Sequence, residues 1–261
     1  MNCPLCNAGS SRSLVTKKRT FFVCDSCCFI WADPRSYLDD TAERLRYGLH
    51  NNDRTNAGYV QFITQILDRG LQRWKTLHHI DEPSVDAEAH FPLILDWGSG
   101  PNPVATELLR EWNFQVSSYD PIYGPQLPLN HQSFDIIFCI EVAEHFKNPL
   151  QDFNAMVNYL KPGGLLVVHT HTIPQEVFSA QALAKALAKA SAKASAKASA
   201  QALALETFFQ SWWYKEDPTH VSFYSEQSFK TLAHIYKLSY EKAEEPGSKG
   251  DGKLHFFIKS L

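Results

Sequence analysis

The sequence predicts an α/β fold, a mostly parallel sheet ending in an antiparallel C-terminal hairpin, with a small cysteine-anchored module ahead of it. Three observations predict it. Short apolar runs alternate with amphipathic helical stretches from residue 91 onward, two strand-like stretches near the end flank the turn-rich PGSKGDG, and two CxxC pairs open the chain. At 261 residues, 44% hydrophobic and 20% charged, the chain can bury one medium core plus an appendage, which excludes disorder as the default. No apolar run approaches the roughly 18 residues that span a bilayer, and MNCPLC lacks the basic-then-apolar layout of a signal peptide. A cytoplasmic protein with no membrane partner is therefore expected. The formal net charge of −3 provides no broad cationic face, so any basic surface must be local.

Residues 1–36 read as a zinc-ribbon-like module. Cys3, Cys6, Cys24 and Cys27 fall as CxxC, seventeen residues, CxxC, so each pair can grip one side of a tetrahedral ion while the intervening segment loops out and returns. In a reducing compartment the thiolates favour zinc over disulfides. Cys28 is expected to be a spectator, and Cys139, inside an apolar strand, a small core residue. Arg12, Lys17, Lys18, Arg19 and Arg35 outnumber Asp25 and Asp33 here, a modest excess that reads as solvated surface rather than a nucleic-acid patch.

Residues 37–90 read as a helical linker packed on the core, because Tyr59, Phe62, Ile63, Ile66, Leu67, Leu71 and Trp74 recur at three- and four-residue steps between Asn56 and Ile80. The main domain then spans 91–261. Phe91 to Leu95 reads as a strand, followed by the turn DWGSGPNP and a helix carrying Val104, Leu108, Leu109 and Trp112 on one face. A second strand covers Phe114 to Tyr119 and a third buried one Ser133 to Glu141. Asn148 and Pro149 look like the N-cap and first position of a helix ending at KPGG, and Leu165 to His169 is the next strand. Ser225 caps a last helix through Leu238, ahead of hairpin strands at Leu238 to Glu244 and Lys253 to Leu261. Ala180 to Leu205 repeats ALAK and ASAK; its alanine density predicts a helix, read as a tolerated surface insertion with a slanted lysine stripe.

The turn after the first core strand carries the ligand signal. Gly98 and Gly100 permit backbone conformations and close ligand approach that a Cβ would block, and the next helix aims its amides at that point. Asp96 at the strand end and Asp120 at the end of the next strand, placed to receive ribose hydroxyls, point to an adenosine-containing ligand. Pro103 stands where a dinucleotide loop would want its third glycine, which disfavours NAD.

Through LDWGSG (Leu95 to Gly100), YDP (Tyr119 to Pro121), SFDIIFCIEVAEHF (Ser133 to Phe146) and LKPGG (Leu160 to Gly164), residues 91–261 resemble the class I S-adenosylmethionine-dependent methyltransferases. The resemblance implies a Rossmann-like sheet and a cofactor site of Asp96, Trp97, Gly98, Ser99, Gly100, Tyr119, Asp120, Pro121, Ile140 and Glu141. In it the glycines line the methionine moiety, Asp120 holds the ribose, and Ile140 with Glu141 faces the sulfonium. The knuckles followed by ADP (Ala32 to Pro34) and HNN (His50 to Asn52) are similar to zinc-binding regions attached to some of these enzymes, including sugar C-methyltransferases. Only fourteen residues separate Asp120 from Asp135, where the family fits a helix and a third strand. That edge is expected to be truncated, with Leu127 to Leu129 giving the adenine only apolar and backbone contacts.

Methyl transfer is an in-line displacement that needs an aligned nucleophile and, for a hydroxyl, removal of its proton. Glu141, Glu144, His145 and His220, from ExxEH and DPTHVSFY, are the candidate catalytic groups. Two carboxylates and two imidazoles could also hold a second divalent cation, an arrangement similar to that in small-RNA 2′-O-methyltransferases and ubiquinone-pathway O-methyltransferases. Without such a metal, His220 or His145 is the candidate general base. His169 and His171 read as strand-edge residues, and Trp212, Trp213 and Tyr214 as a lid or as packing. The leading expectation is methylation of a hydroxyl on a small molecule or sugar. The alternatives are an RNA methyltransferase and a non-catalytic binding module.

Overall fold

The computed structural model describes residues 1–9, 11–49, 52–80, 91–124, 133–178, 196–243 and 253–261. Strands β4 (Leu93–Trp97), β5 (Gln115–Tyr119), β6 (Phe134–Ile140), β7 (Leu160–His169), β9 (Leu238–Lys242) and β10 (Leu254–Lys259) form a six-stranded sheet in the order β5-β4-β6-β7-β10-β9. The first four are parallel, whereas β10 runs antiparallel to both neighbours. This is the mostly parallel sheet with a terminal hairpin that the sequence predicts. Among the described residues no strand lies beyond β5; Leu127 to Leu129 and PGSKGDG fall outside them.

The apolar periodicity is met by helix α2 (Ala57–Leu77), which lays Ile63, Ile66, Leu67, Leu71 and Trp74 against the sheet. Asn56 caps it by accepting from the Tyr59 N–H. Gly70 permits the closest approach, since a Cβ there would stand 2.5 Å from the Phe138 ring. On the same face α3 (Val104–Glu111) buries Val104, Leu108 and Leu109. The opposite face is covered by α4 (Pro149–Tyr159), capped by Asn148 with Pro149 in its first turn, and by α6 (Glu226–Tyr236), closed by a Ser225–Ser228 capping box.

Some boundaries move for local reasons. Phe91 is exposed, so β4 starts at Leu93. The LKPGG segment continues β7 back to Leu160, with a register irregularity between Phe134 and Ile136 and a left-handed Gly163 absorbing the proline. The last helix stops at Tyr236 because Lys237 takes the left-handed conformation. The described part of the Ala/Lys repeat belongs to helix α5 (Ala196–Ser211), whose Leu205 and Phe209 enter the core beside Phe21 and Phe223.

The cysteine module is built into the same body. Strands β1 (Ser11–Val15), β2 (Thr20–Cys24) and β3 (Ile30–Ala32) form an antiparallel sheet whose fourth strand is β8 (Ser222–Phe223), paired through Ile30↔Phe223 and Trp31↔Ser222. Cys24, Cys27, Phe29 and Trp31 share one apolar cluster with Phe153, Tyr224, Phe229 and Phe257. The Ser228 hydroxyl donates to the Cys27 carbonyl at 3.0 Å. Arg19, from the β1–β2 turn, donates to the Asp217 and His220 carbonyls at 2.9 Å each. Arg12 pairs with Asp25, Arg35 with Asp33 and Lys18 with Glu216, so much of the module's positive charge has an acidic partner and Arg19 serves as an internal clamp.

Candidate active site and metal centres

A cleft of about 590 Å³ opens at the carboxyl ends of β4, β5 and β6, within the size range of small-molecule sites. Its floor is the turn after β4, where the Gly98 and Ser99 N–H groups both donate to the Tyr119 carbonyl. Gly98 has φ +78°, and a Cβ on it would stand 2.4 Å from the Val142 side chain. Gly100 has φ +66° and faces open space. Asp120 fastens this turn by accepting from the Gly100 N–H at 2.9 Å, while its other oxygen accepts from the Ile122 and Tyr123 N–H groups. A carboxylate has about four acceptor positions, so three backbone donors leave capacity for about one ligand hydroxyl.

Trp97, Gly98, Ser99, Gly100, Tyr119, Asp120, Pro121, Ile140 and Glu141 all line the cleft. Asp96 does not. It is buried beneath the turn, where it accepts from the Thr106 hydroxyl at 2.7 Å and ties α3 to β4, and burial pushes its pKa up to about 6.

Helix α1 (Asp40–Tyr47) supplies a wall that the sequence reading missed, contributing Asp40, Glu43, Arg44 and Tyr47. It is fastened by Glu43 to Lys147 at 2.8 Å, by Arg46 to Asp217, and by the Tyr123 hydroxyl donating to the Arg44 carbonyl. Eight polar-rich residues without an apolar stripe announce no docking face, so no sequence signal marked this helix as part of a site.

The four residues of the expected second metal cluster separate into two groups. Glu141 sits in a left-handed conformation with its N–H on the His169 carbonyl and its carboxylate on His169 Nδ1, both at 2.8 Å. Burial pushes its pKa up to about 7. His169 is thus a buried partner of the cleft carboxylate, beyond the strand-edge role expected of it. Glu144, His145 and His220 form the other group, each offering one ligand atom within 4.8 Å of the rest. His145 Nδ1 donates to the Thr219 carbonyl at 3.0 Å and His220 Nδ1 to the Tyr214 carbonyl at 2.7 Å. A carbonyl only accepts, so both rings carry their proton on Nδ1 and leave the Nε2 lone pair for a ligand.

Burial, reinforced by His145, lowers the His220 pKa to about 4. An imidazole that weakly basic is a poor proton acceptor at neutral pH, and His220 does not line the cleft, which weighs against it as the general base. Glu144 is buried and accepts from the Thr170 hydroxyl at 2.8 Å. Of the three aromatics before the DPTH segment, Trp212 packs on Phe208 and Phe223 and Tyr214 is buried, whereas Trp213 is 65% exposed beside His171.

The cysteine site fits a tetrahedral metal. All four sulfurs lie within 4.8 Å of one another, with Cys3 to Cys27 at 3.7 Å and Cys6 to Cys24 at 3.6 Å. Four thiolates at about 2.3 Å from zinc would be about 3.8 Å apart. Cys28 stands outside this group, and Cys139 is fully buried in β6 as a core residue.

Comparison with known proteins adds the family. A curated relative, the tRNA U34 carboxymethyltransferase of Desulfotalea psychrophila, is 40% identical over 50 residues, 19% of this chain and 16% of that protein. Among solved structures, the YcgJ protein from Bacillus subtilis is similar at a TM-score of 0.41 and 15% identity, covering 66% of this chain and 93% of that one. The plantazolicin methyltransferase BamL is similar at 0.43 and 13%, covering 85% and 96%. These overlaps are too slight to bear weight, but a family described as methyltransferase domain matches residues 50–242, a span that contains the glycine turn, Asp120 and both histidine groups. The chain belongs to the methyltransferase-domain family.

Proposed function

We propose that the chain transfers a methyl group from S-adenosylmethionine to a hydroxyl of a small molecule or sugar, with zinc at Cys3, Cys6, Cys24 and Cys27 and a second divalent cation at Glu144, His145 and His220. The observation that carries this reading is the cleft in which the open Gly100 turn, Asp120 and Glu141, itself held by the buried His169 behind it, face one space. When bound, the cofactor supplies an electrophilic methyl on sulfonium: the C–S bond breaks toward sulfur as the O–C bond forms. The chain's residues do the rest. The glycine turn and Asp120 would orient the cofactor, and Glu141, whose carboxylate lines the cleft and is ionised above about pH 7, would face the cationic centre and take up the acceptor's proton as the O–C bond forms. Two imidazoles and a carboxylate suit zinc, manganese, iron or cobalt better than magnesium, and such an ion would lower the pKa of a hydroxyl it binds. Each imidazole donating its other N–H to a carbonyl is the outer support that metal-bound histidines use.

Calorimetric titration tests the cofactor. S-adenosylmethionine and S-adenosylhomocysteine are expected to bind and NAD not; the reverse result would sink the reading. Glu141 adds a pH signature. Its pKa is raised from 4.5 to about 7, so between those values the folded chain holds a proton that the unfolded chain has released, and this group's contribution to stability falls as pH rises. Above about pH 7 the carboxylate is ionised, and affinity for the cationic cofactor is expected to tighten through that range in wild type and stay flat in Glu141→Gln.

Cobalt titration tests the metals. Two equivalents per chain are expected, one with thiolate charge-transfer absorption; His220→Ala should lose the other and keep the thiolate bands. A single equivalent in wild type would remove the second site. The acceptor class has its own discriminator, because RNA affinity that falls steeply with added salt would replace the small-molecule reading.

A further inference from the structure

We propose that Arg19 is a positioning residue for the histidine site: reaching out of the cysteine module, it fixes the turn 217–220 on which Glu144, His145 and His220 all depend, and so governs metal affinity there without touching the ion. The inference rests on the second-cation reading above. The turn is where the three ligands meet. His220 stands on it, and its Thr219 carbonyl accepts from His145 Nδ1 at 3.0 Å. One residue on, the Val221 N–H donates to the Glu144 carbonyl at 2.8 Å. A displaced turn would carry one ligand with it and slacken a tether of each of the others.

The cysteine module holds this turn from outside. The His220 N–H closes it onto the Asp217 carbonyl at 3.1 Å. Arg19 Nη1 donates to that same carbonyl and Nη2 to the His220 carbonyl, both at 2.9 Å. A guanidinium is a rigid fork of donors, so its two arms fix how far apart the ends of the turn stand. The fork is itself held, 5.0 Å over the Phe21 ring with its Nε buried. Ala32 adds a further bond, its N–H donating to the Val221 carbonyl at 2.9 Å. Arg19 directly precedes β2 and Ala32 ends β3, and the two strands pair through Phe21↔Ala32, so both supports belong to one piece of sheet. In the sequence Lys17, Lys18 and Arg19 form one basic run; in the structure the two lysines are exposed and the arginine turns inward.

Cobalt affinity at the histidine site, read on the full chain from the visible bands that are not thiolate charge transfer, tests the assignment. Outer supports of metal-bound histidines are worth about 10- to 100-fold in affinity. Arg19→Ala is expected to weaken the histidine site about tenfold while the thiolate site keeps its bands and affinity. Arg19→Lys, whose ammonium lacks the fork, should fall between. Leu71→Ala is the control, since it opens the core beneath α2, in a different apolar cluster, and should lower the thermal midpoint with cobalt affinity unchanged. Unchanged histidine-site affinity in Arg19→Ala, an equal loss at the thiolate site, or an equal loss in Leu71→Ala overturns the positioning role and leaves the second metal in place. Should Arg19→Ala fail to fold, Arg19→Lys against Leu71→Ala decides by the same criteria. A wild type that takes one equivalent overturns this inference and the second-cation reading together.

Discussion

Cys24→Ser is expected to unfold the chain under conditions where wild type is folded, and a strong chelator is expected to do the same to wild type. The magnitudes set the direction. A structural zinc site contributes on the order of 10 kcal/mol or more of apparent binding free energy, against a total domain stability of about 5–15 kcal/mol. The Cys3–Cys27 and Cys6–Cys24 sulfur pairs stand at 3.7 and 3.6 Å, the spacing of thiolates sharing one ion, so with the proposed zinc bound serine would remove one of its four ligands. The damage would spread. Cys24 and Cys27 pack in the cluster that contains Phe153, Tyr224 and Phe229, and β3 pairs with β8 immediately after His220. Circular dichroism melts with and without chelator measure the effect; unchanged midpoints would show that the cysteines hold no structural metal.

Gly98→Ala and Gly100→Ala should separate folding from binding. At Gly98 a methyl meets Val142 at 2.4 Å with φ +78°, so overpacking of about 1–3 kcal/mol adds to a left-handed backbone cost of about 1–2 kcal/mol. A melting midpoint lowered by several degrees is expected. At Gly100 nothing lies within 4 Å, so only the backbone cost applies and the fold should survive. The methyl then stands in the space left for the ligand, and affinity for S-adenosylhomocysteine should fall about tenfold or more, roughly 1.4 kcal/mol per factor of ten. Equal losses of stability in the two variants, with affinity intact in Gly100→Ala, would place the ligand elsewhere.

The sheet was legible because its signals are local. Apolar runs such as Ile136 to Ile140, the Asn148–Pro149 start and the Ser225 cap each specify an element within a few residues. The glycine turn and Asp120 were legible because few residue types satisfy a left-handed turn facing a carboxylate. What the sequence hid was non-local or unpatterned. Asp96 looked like a cleft residue until Thr106 claimed it. Glu141 looked like a partner of Glu144, but its left-handed backbone turns it to His169, a distinction that spacing in ExxEH does not encode. Two residues, Ser222 and Phe223, are too short a run to announce a strand.

That last pairing bears on how the chain is made. Strand β3 ends at Ala32 and its neighbour begins at Ser222, about 190 residues later. At roughly 5–20 residues per second, a ribosome needs on the order of 10–40 s to deliver the missing edge. Throughout that interval the emerged N-terminal ribbon exposes open backbone and the Phe29–Trp31 surface, and a captured ion would hold it together until the rest of the polypeptide arrives.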